Sequence, residues 1–210
     1  MSADSRASRE RERAGPPCYT GGVVPRLTEA TLREPLRRAL ADRRARKIPA
    51  VATTAAAVLL PLFEREGAAH VWLARRPTTM RSHAGQVAFP GGKSDAADAS
   101  LLDTALREAH EELGIPRARV DVLGALDDTL TITGYVISPY VGWIPNDVEP
   151  RPNPSEVARA FAAPLHAFLE PPSGVLPWRG WTVDGELVWG ATAAIVRGFV
   201  GILRELGLDQ

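Results

Sequence analysis

Phe89-Pro90-Gly91-Gly92-Lys93-Ser94-Asp95-Ala96-Ala97-Asp98-Ala99-Ser100-Leu101-Leu102-Asp103-Thr104-Ala105-Leu106-Arg107-Glu108-Ala109-His110-Glu111-Glu112-Leu113-Gly114-Ile115 is the stretch around which the rest of this chain is organised. Pro90-Gly91-Gly92 reads as a loop, because glycine admits unusual backbone angles and the close approach of a ligand. From about Ser100 the period changes: Leu101, Leu102, Ala105, Leu106, Ala109 and Leu113 recur at threes and fours, as on an amphipathic helix. Asp103 and Thr104 suit its early turns, and Gly114 backed by Pro116 suits its end. Glu108 and Glu112 are four apart with Glu111 between them, so all three are expected on one side.

Like charges at that spacing cost a helix a few tenths of a kcal/mol, roughly, per pair. A solvated helix face more often sets Glu against Lys or Arg four residues on. An exposed acidic helix is one reading. The other is a site for a hard divalent cation such as magnesium, which takes oxygen ligands and is completed by substrate phosphates. The glycines upstream favour the site.

In this register the stretch resembles the Nudix hydrolase box. Gly92 and Arg107-Glu108-Ala109-His110-Glu111-Glu112-Leu113-Gly114-Ile115 match it, while the box's first Glu falls on Asp98, one residue further from Arg107 than the pattern has it. The resemblance implies an α+β protein: an α/β/α sandwich with a mixed β-sheet and a loop-helix-loop box at 92–115. It also implies Mg2+ or Mn2+, held by Glu108, Glu111 and Glu112 with the carbonyl of Gly92 as a further ligand. Arg107 would hold one glutamate in place, and one glutamate could instead be the base. Asp98 would stand where the box has its first Glu. Glu156, in Asn153-Pro154-Ser155-Glu156, is a further candidate base or ligand, with helix capping as the alternative.

The segment before the box resembles the coenzyme A pyrophosphatase branch of that family. Arg76, Arg81, Gly85 and Phe89-Pro90-Gly91-Gly92 carry the likeness, while Pro77 and Ala74 depart from it. Guanidinium groups suit the capture of phosphate oxygens. Arg76 and Arg81, with Gly85 and Gly91, are therefore the expected substrate-binding positions; the alternative is two loop arginines in surface pairs. His83 is either an acid or base or a hydrogen-bonded loop residue, and His110 reads as surface. Weaker likenesses at Thr133-Gly134-Tyr135, Asn153 to Val157 and Trp189 to Ala193 extend the resemblance over about residues 27–206.

The implied reaction is metal-dependent hydrolysis of the diphosphate of coenzyme A or its thioesters, giving 3′,5′-ADP and 4′-(acyl)phosphopantetheine. The runner-up substrates are ADP-ribose, a dinucleoside polyphosphate or a nucleoside triphosphate. A nucleotide-binding module without hydrolysis is the reading from another class, and the retention of all three box glutamates counts against it.

The 210 residues, 45% apolar, suit one core with appendages: a leader over 1–25 expected to be disordered and one domain over 26–210. Equal numbers of acidic and basic residues give no general argument for nucleic acid or membrane as partner. Cys18 is the only cysteine, which excludes an intramolecular disulfide and suits a cytoplasmic setting. No secretory signal is read at the N-terminus, and the apolar run Ile48 to Phe63 is too short to span a bilayer well. The expected partner is a small nucleotide, and a homodimer is left open.

Along the chain, Thr28 caps an expected helix over about 28–47 carrying Leu32, Leu36 and Leu40 on one face. Its other face is arginine-dense, either a solvated surface or a contact for phosphate or membrane. Strands are expected at Val51 to Leu62, from His70, at Val120 to Leu126 and at Tyr135 to Ile144, the last an edge or bulged strand because of Pro139. Ser155 to Phe168 reads as helical. Trp181-Thr182 and Leu187-Val188-Trp189 flank a hairpin turn at Asp184-Gly185. Ala191 to Leu206 reads as a closing helix, and Trp178 and Trp181 as exposed.

Overall fold

The computed structural model describes residues 27–49, 53–80, 83–175 and 179–209. The expected leader, Cys18, Arg81 and Trp178 lie outside the described residues.

The strand β1 (Thr54–Arg65) runs through the middle of the sheet, and its sequence explains why. Ala56, Ala57, Leu59, Leu60 and Leu62 are buried, so both faces of the strand are covered. One edge pairs in parallel with β7 (Tyr135–Trp143). The other edge is shared. Ala56 to Val58 pair with β4 (Gly91–Lys93), and Leu62 to Arg65 pair with β2 (Ala68–Arg75) through the Glu66-Gly67 turn. The hairpin therefore opens midway, and the glycine strand fills the opening. Beyond β2 lie β3 (Val87–Ala88) and β8 (Arg159–Pro164), and beyond β7 lie β5 (Asp121–Ala125) and β6 (Thr129–Leu130).

Helices cover both faces. α1 (Glu29–Asp42) and α3 (Gly190–Glu205) put Leu32, Leu36, Leu40, Val196 and Phe199 into one core with Leu60, Leu62, Val141 and Trp143. α2 (Leu101–Leu113) lies on the opposite face, where Ala105 and Ala109 meet Ala57 and Leu59. Small side chains on both partners bring this helix close to the sheet. The result is the expected α+β sandwich with a mixed sheet. No helix among the described residues is long and apolar enough to cross a membrane.

The expected Thr28 cap is present: Thr28 accepts from the Thr31 backbone N–H, and the Thr31 hydroxyl takes the Thr28 N–H at 2.9 Å. The helix stops at Asp42 rather than about residue 47, since Arg43 is already extended. Part of its basic side is paired within the protein. Arg33 and Arg37 both bond Asp121, Arg43 bonds Asp127, and Lys47 bonds Asp128. Arg38, Arg44 and Arg46 remain exposed on the same side.

Asp128 is buried and accepts from Lys47 at 2.9 Å, Ser138 at 2.7 Å and the Ile48 N–H at 2.9 Å. Burial pushes its carboxyl up, but these three bonds outweigh burial and hold it below the usual range. The folded value thus lies below the unfolded one of roughly 3.9, so its stabilisation is present above about pH 4 and lost as pH falls further. Asp128→Asn is expected to cost about 2 kcal/mol near neutrality. The difference from the parent protein should shrink at about pH 3 in urea unfolding.

Four further expectations are corrected. Ser155 to Phe168 is not a helix: a turn at residues 154–156 leads into the strand β8, which ends in a short 3-10 turn at Leu165–Phe168. Val157, Phe161 and Leu165 satisfy a spacing of four, but they satisfy a spacing of two equally well, and pairing with β2 decided between them. Pro139 sits in an internal strand. Its carbonyl accepts from Leu126 N at 2.9 Å, where the neighbouring edge breaks between β5 and β6, and the bulge falls on β5 between Val122 and Gly124. Pro90-Gly91-Gly92 is not all loop, because Gly91 and Gly92 belong to β4. Trp181 is buried, stacks edge-on against Phe168 and donates its indole N–H to the Glu170 carbonyl at 2.8 Å.

Candidate active site

α2 is delimited by its own sequence. Ser100 caps it by accepting from Asp103 N at 3.2 Å, and Gly114 closes it in the left-handed region at φ 65°. Its inner face buries Ala105, Ala109 and Leu113, and the same turn buries Glu112 at 4% exposure. The Gly91 N–H donates to one Glu112 oxygen at 3.1 Å, and Arg76 Nη2 lies 3.3 Å from the other. Arg76 also donates to the Gly91 carbonyl at 3.3 Å. Burial pushes the Glu112 carboxyl up to about 7, against the opposing pull of Arg76 and the Gly91 N–H.

One turn earlier, Glu108 faces Gly92 on β4. A methyl group on Gly92 would lie 2.4 Å from Glu108 Oε1, so this approach needs a residue without a side chain. Burial also raises the Glu108 carboxyl, with Arg107 opposing it. Arg107 works as a fork. Its Nε and Nη2 bond Asp98 at 2.9 and 3.0 Å, and its Nη1 bonds Glu108 and Glu111, each at 2.9 Å. Hydrogen bonds from Arg107 lead the causes that hold Asp98 well below the usual carboxylate range. Despite the extra residue before Arg107, Asp98 meets it from the end of a turn in which the Asp98 N–H donates to the Asp95 carbonyl at 3.1 Å. Asp98 therefore reaches Arg107 and stands apart from the acidic cluster.

That cluster is Glu108, Glu112 and Glu156, whose carboxylate oxygens all lie within 4.8 Å of one another. Its membership differs from a reading of the helix alone. Glu108 and Glu112 share a side, but the Glu111 side chain is 48% exposed, bonded to Arg107 and outside the cluster. Glu156 comes from the far side of β8's approach, and since no helix follows it, capping is not its role. Its sequence neighbourhood flagged it only weakly, because nothing local shows that residue 156 returns to α2.

Three carboxylates gathered at a largely buried wall repel one another, and oxygen-only donors of this kind fit a hard dication such as magnesium or manganese. Glu108, Glu112 and Glu156 are the residues that could hold it. Among the substrate positions, Arg76 stands beside Glu112, Gly91 contributes both backbone groups to the same network, and Gly85 adopts φ 69° in the turn leading to β3. His83 is exposed, with Nδ1 2.9 Å from Gln86 Oε1. His110 is exposed as expected.

The NUDIX domain pattern matches residues 53–183. A protein of Enterobacter sp. (strain 638) described as "Uncharacterized Nudix hydrolase NudL" is 42% identical over 165 residues, 73% of this chain and 81% of that one. The protein of the same description from Photorhabdus laumondii is 42% identical over 151 residues, 67% of this chain and 80% of that one. Solved structures share the fold at low identity. A C. elegans Ap4A hydrolase binary complex has a TM-score of 0.53 at 14% identity, covering 72% of this chain and 98% of that one. The NUDIX domain of Shewanella oneidensis NrtR with ADP ribose has a TM-score of 0.52 at 16% identity, covering 80% and 96%. With the family pattern spanning most of the sheet and relatives this similar along most of the sequence, the chain belongs to the Nudix hydrolase family.

Proposed function

We propose that the protein hydrolyses the diphosphate linkage of coenzyme A or its thioesters, giving 3′,5′-ADP and 4′-(acyl)phosphopantetheine, with Mg2+ or Mn2+ at Glu108, Glu112 and Glu156. The observation that carries this reading is the place of Arg76. The guanidinium of the upstream signature lies 3.3 Å from Glu112, so a phosphate-binding group stands next to the metal carboxylates. Glu111 and Gly92 border the same wall, the first sharing Arg107 with Glu108 and the second abutting Glu108 directly.

In this reading Arg107 fixes Glu108 while Arg76 orients the diphosphate. One glutamate of the trio takes the proton of the water that attacks phosphorus, and the bond from that phosphorus to the bridging oxygen breaks. A dication held by Glu108, Glu112 and Glu156 would supply neutralisation of the charge gathering on the phosphate oxygens. A small nucleotide suits a chain with no net charge whose first helix pairs Arg33 and Arg37 with Asp121, and one cysteine suits a reducing cytoplasm.

The test is product identification by mass spectrometry with Mg2+ or Mn2+, comparing coenzyme A, its form lacking the 3′-phosphate, ADP-ribose and a dinucleoside tetraphosphate. We expect 3′,5′-ADP and phosphopantetheine, with the 3′-phosphate favoured. Equal turnover without that phosphate overturns the coenzyme A assignment. Binding without any product favours a non-hydrolytic module.

A further inference from the structure

Glu156 lies outside the box helix, yet it reaches the two box glutamates, and the chain between Arg151 and Val157 shows how. Arg151 N donates to the Leu113 carbonyl at 2.7 Å, and Asn153 N donates to the Glu112 carbonyl at 2.9 Å. The segment is thus clamped onto carbonyls at the C-terminal end of α2, which a helix leaves without internal partners. Asn153 then folds the chain back. Its Oδ1 accepts from Ser155 N at 3.2 Å and Ser155 Oγ at 2.8 Å, and its carbonyl accepts from Glu156 N at 3.0 Å and Val157 N at 2.8 Å. Val157 is buried among Leu113, Ile115 and Ile144. Glu156 is therefore bracketed between the clamp on Glu112 and a buried anchor.

Asparagine turns of this type commonly start helices. Here β8 follows from Arg159, so the turn caps nothing. What it does is deliver a carboxylate. We infer that Asn153 is a positioning residue, whose side chain sets the turn that carries Glu156 to Glu108 and Glu112. The inference rests on the metal-site reading above.

Groups that orient metal ligands typically contribute about 10–100-fold in metal affinity. The readout is Mn2+ affinity of the full chain, measured by electron paramagnetic resonance without substrate. Asn153→Ala is expected to weaken Mn2+ binding about tenfold. Asn153→Asp, which keeps the acceptor, should restore at least the parent affinity. Glu156→Gln should weaken binding by as much or more, and adding Asn153→Ala to it should cause no further loss, because the two act through one carboxylate. Should Asn153→Ala not fold, Ser155→Ala, which removes one donor to Asn153, enters the same cycle with a smaller loss.

Additive losses, or parent-like affinity in Asn153→Ala, overturn the positioning role while leaving the metal site standing. Absence of Mn2+ binding in the parent protein overturns both. Neither outcome depends on which diphosphate is hydrolysed.

Discussion

Glu112→Gln is expected to lower kcat by about 10²–10³-fold, the size of loss seen when one charge-stabilising group is taken from an active site. The substitution keeps shape and one acceptor for the Gly91 N–H, but it removes a charge from the cluster of Glu108, Glu112 and Glu156. Stability should move the other way. Burial holds the Glu112 carboxyl at about 7 in the folded protein, against roughly 4.3 in an unfolded chain. The folded state therefore binds more protons between those values, so the contribution is fully present below about pH 4.3 and is lost as pH rises through 7. Without metal, Glu112→Gln should be the more stable protein above pH 7, by at most about 4 kcal/mol. That margin should vanish in acid. Urea unfolding in EDTA across pH measures it, and a glutamine variant less stable than the parent at pH 8 would contradict the buried-charge account.

Gly92→Ala separates activity from stability by a different route. The added methyl would lie 2.4 Å from Glu108 Oε1, 2.6 Å from its carboxyl carbon and 2.9 Å from Oε2. All three atoms are the far end of one flexible side chain, so Glu108 swings aside and the sheet keeps its pairing with β1. Thermal unfolding should change little. Activity should fall about a hundredfold, the cost of misplacing a catalytic group by roughly 1 Å. A large drop in melting temperature would show instead that β4 itself cannot accept the residue, and unchanged activity would show that Glu108 can serve from elsewhere.

The two substitutions also mark where local pattern suffices. Leu101 to Leu113, with Ser100 and Gly114 at its ends, carries its own period, cap and stop within neighbouring residues, so its helix was readable directly. The β1–β2 hairpin and the β9 (Trp181–Val183) and β10 (Glu186–Val188) hairpin were readable for the same reason: turn residues lie between two apolar runs. Arg76 could be singled out, but its partner could not. Gly91 and Glu112 lie 15 and 36 residues away along the chain.

What was misread shares one cause. Residues 155–168 have a spacing that both a helix and a strand can satisfy, and the exposed edge of β2 supplied the hydrogen bonds that chose the strand. Pro139 forbids a donor, yet it is admitted inside the sheet because its neighbour breaks there.

Taken alone, then, the chain's residues determined the box helix, its stop, the concentration of carboxylates upon it and the family to which they point, since each depends on residues close together in the chain. Tertiary structure decided which acids meet: Glu156 joins, Glu111 turns to Arg107, and Asp98 braces that arginine. Those choices depend on where distant segments pack and on which charges are taken out of water, and neither quantity is carried by local spacing.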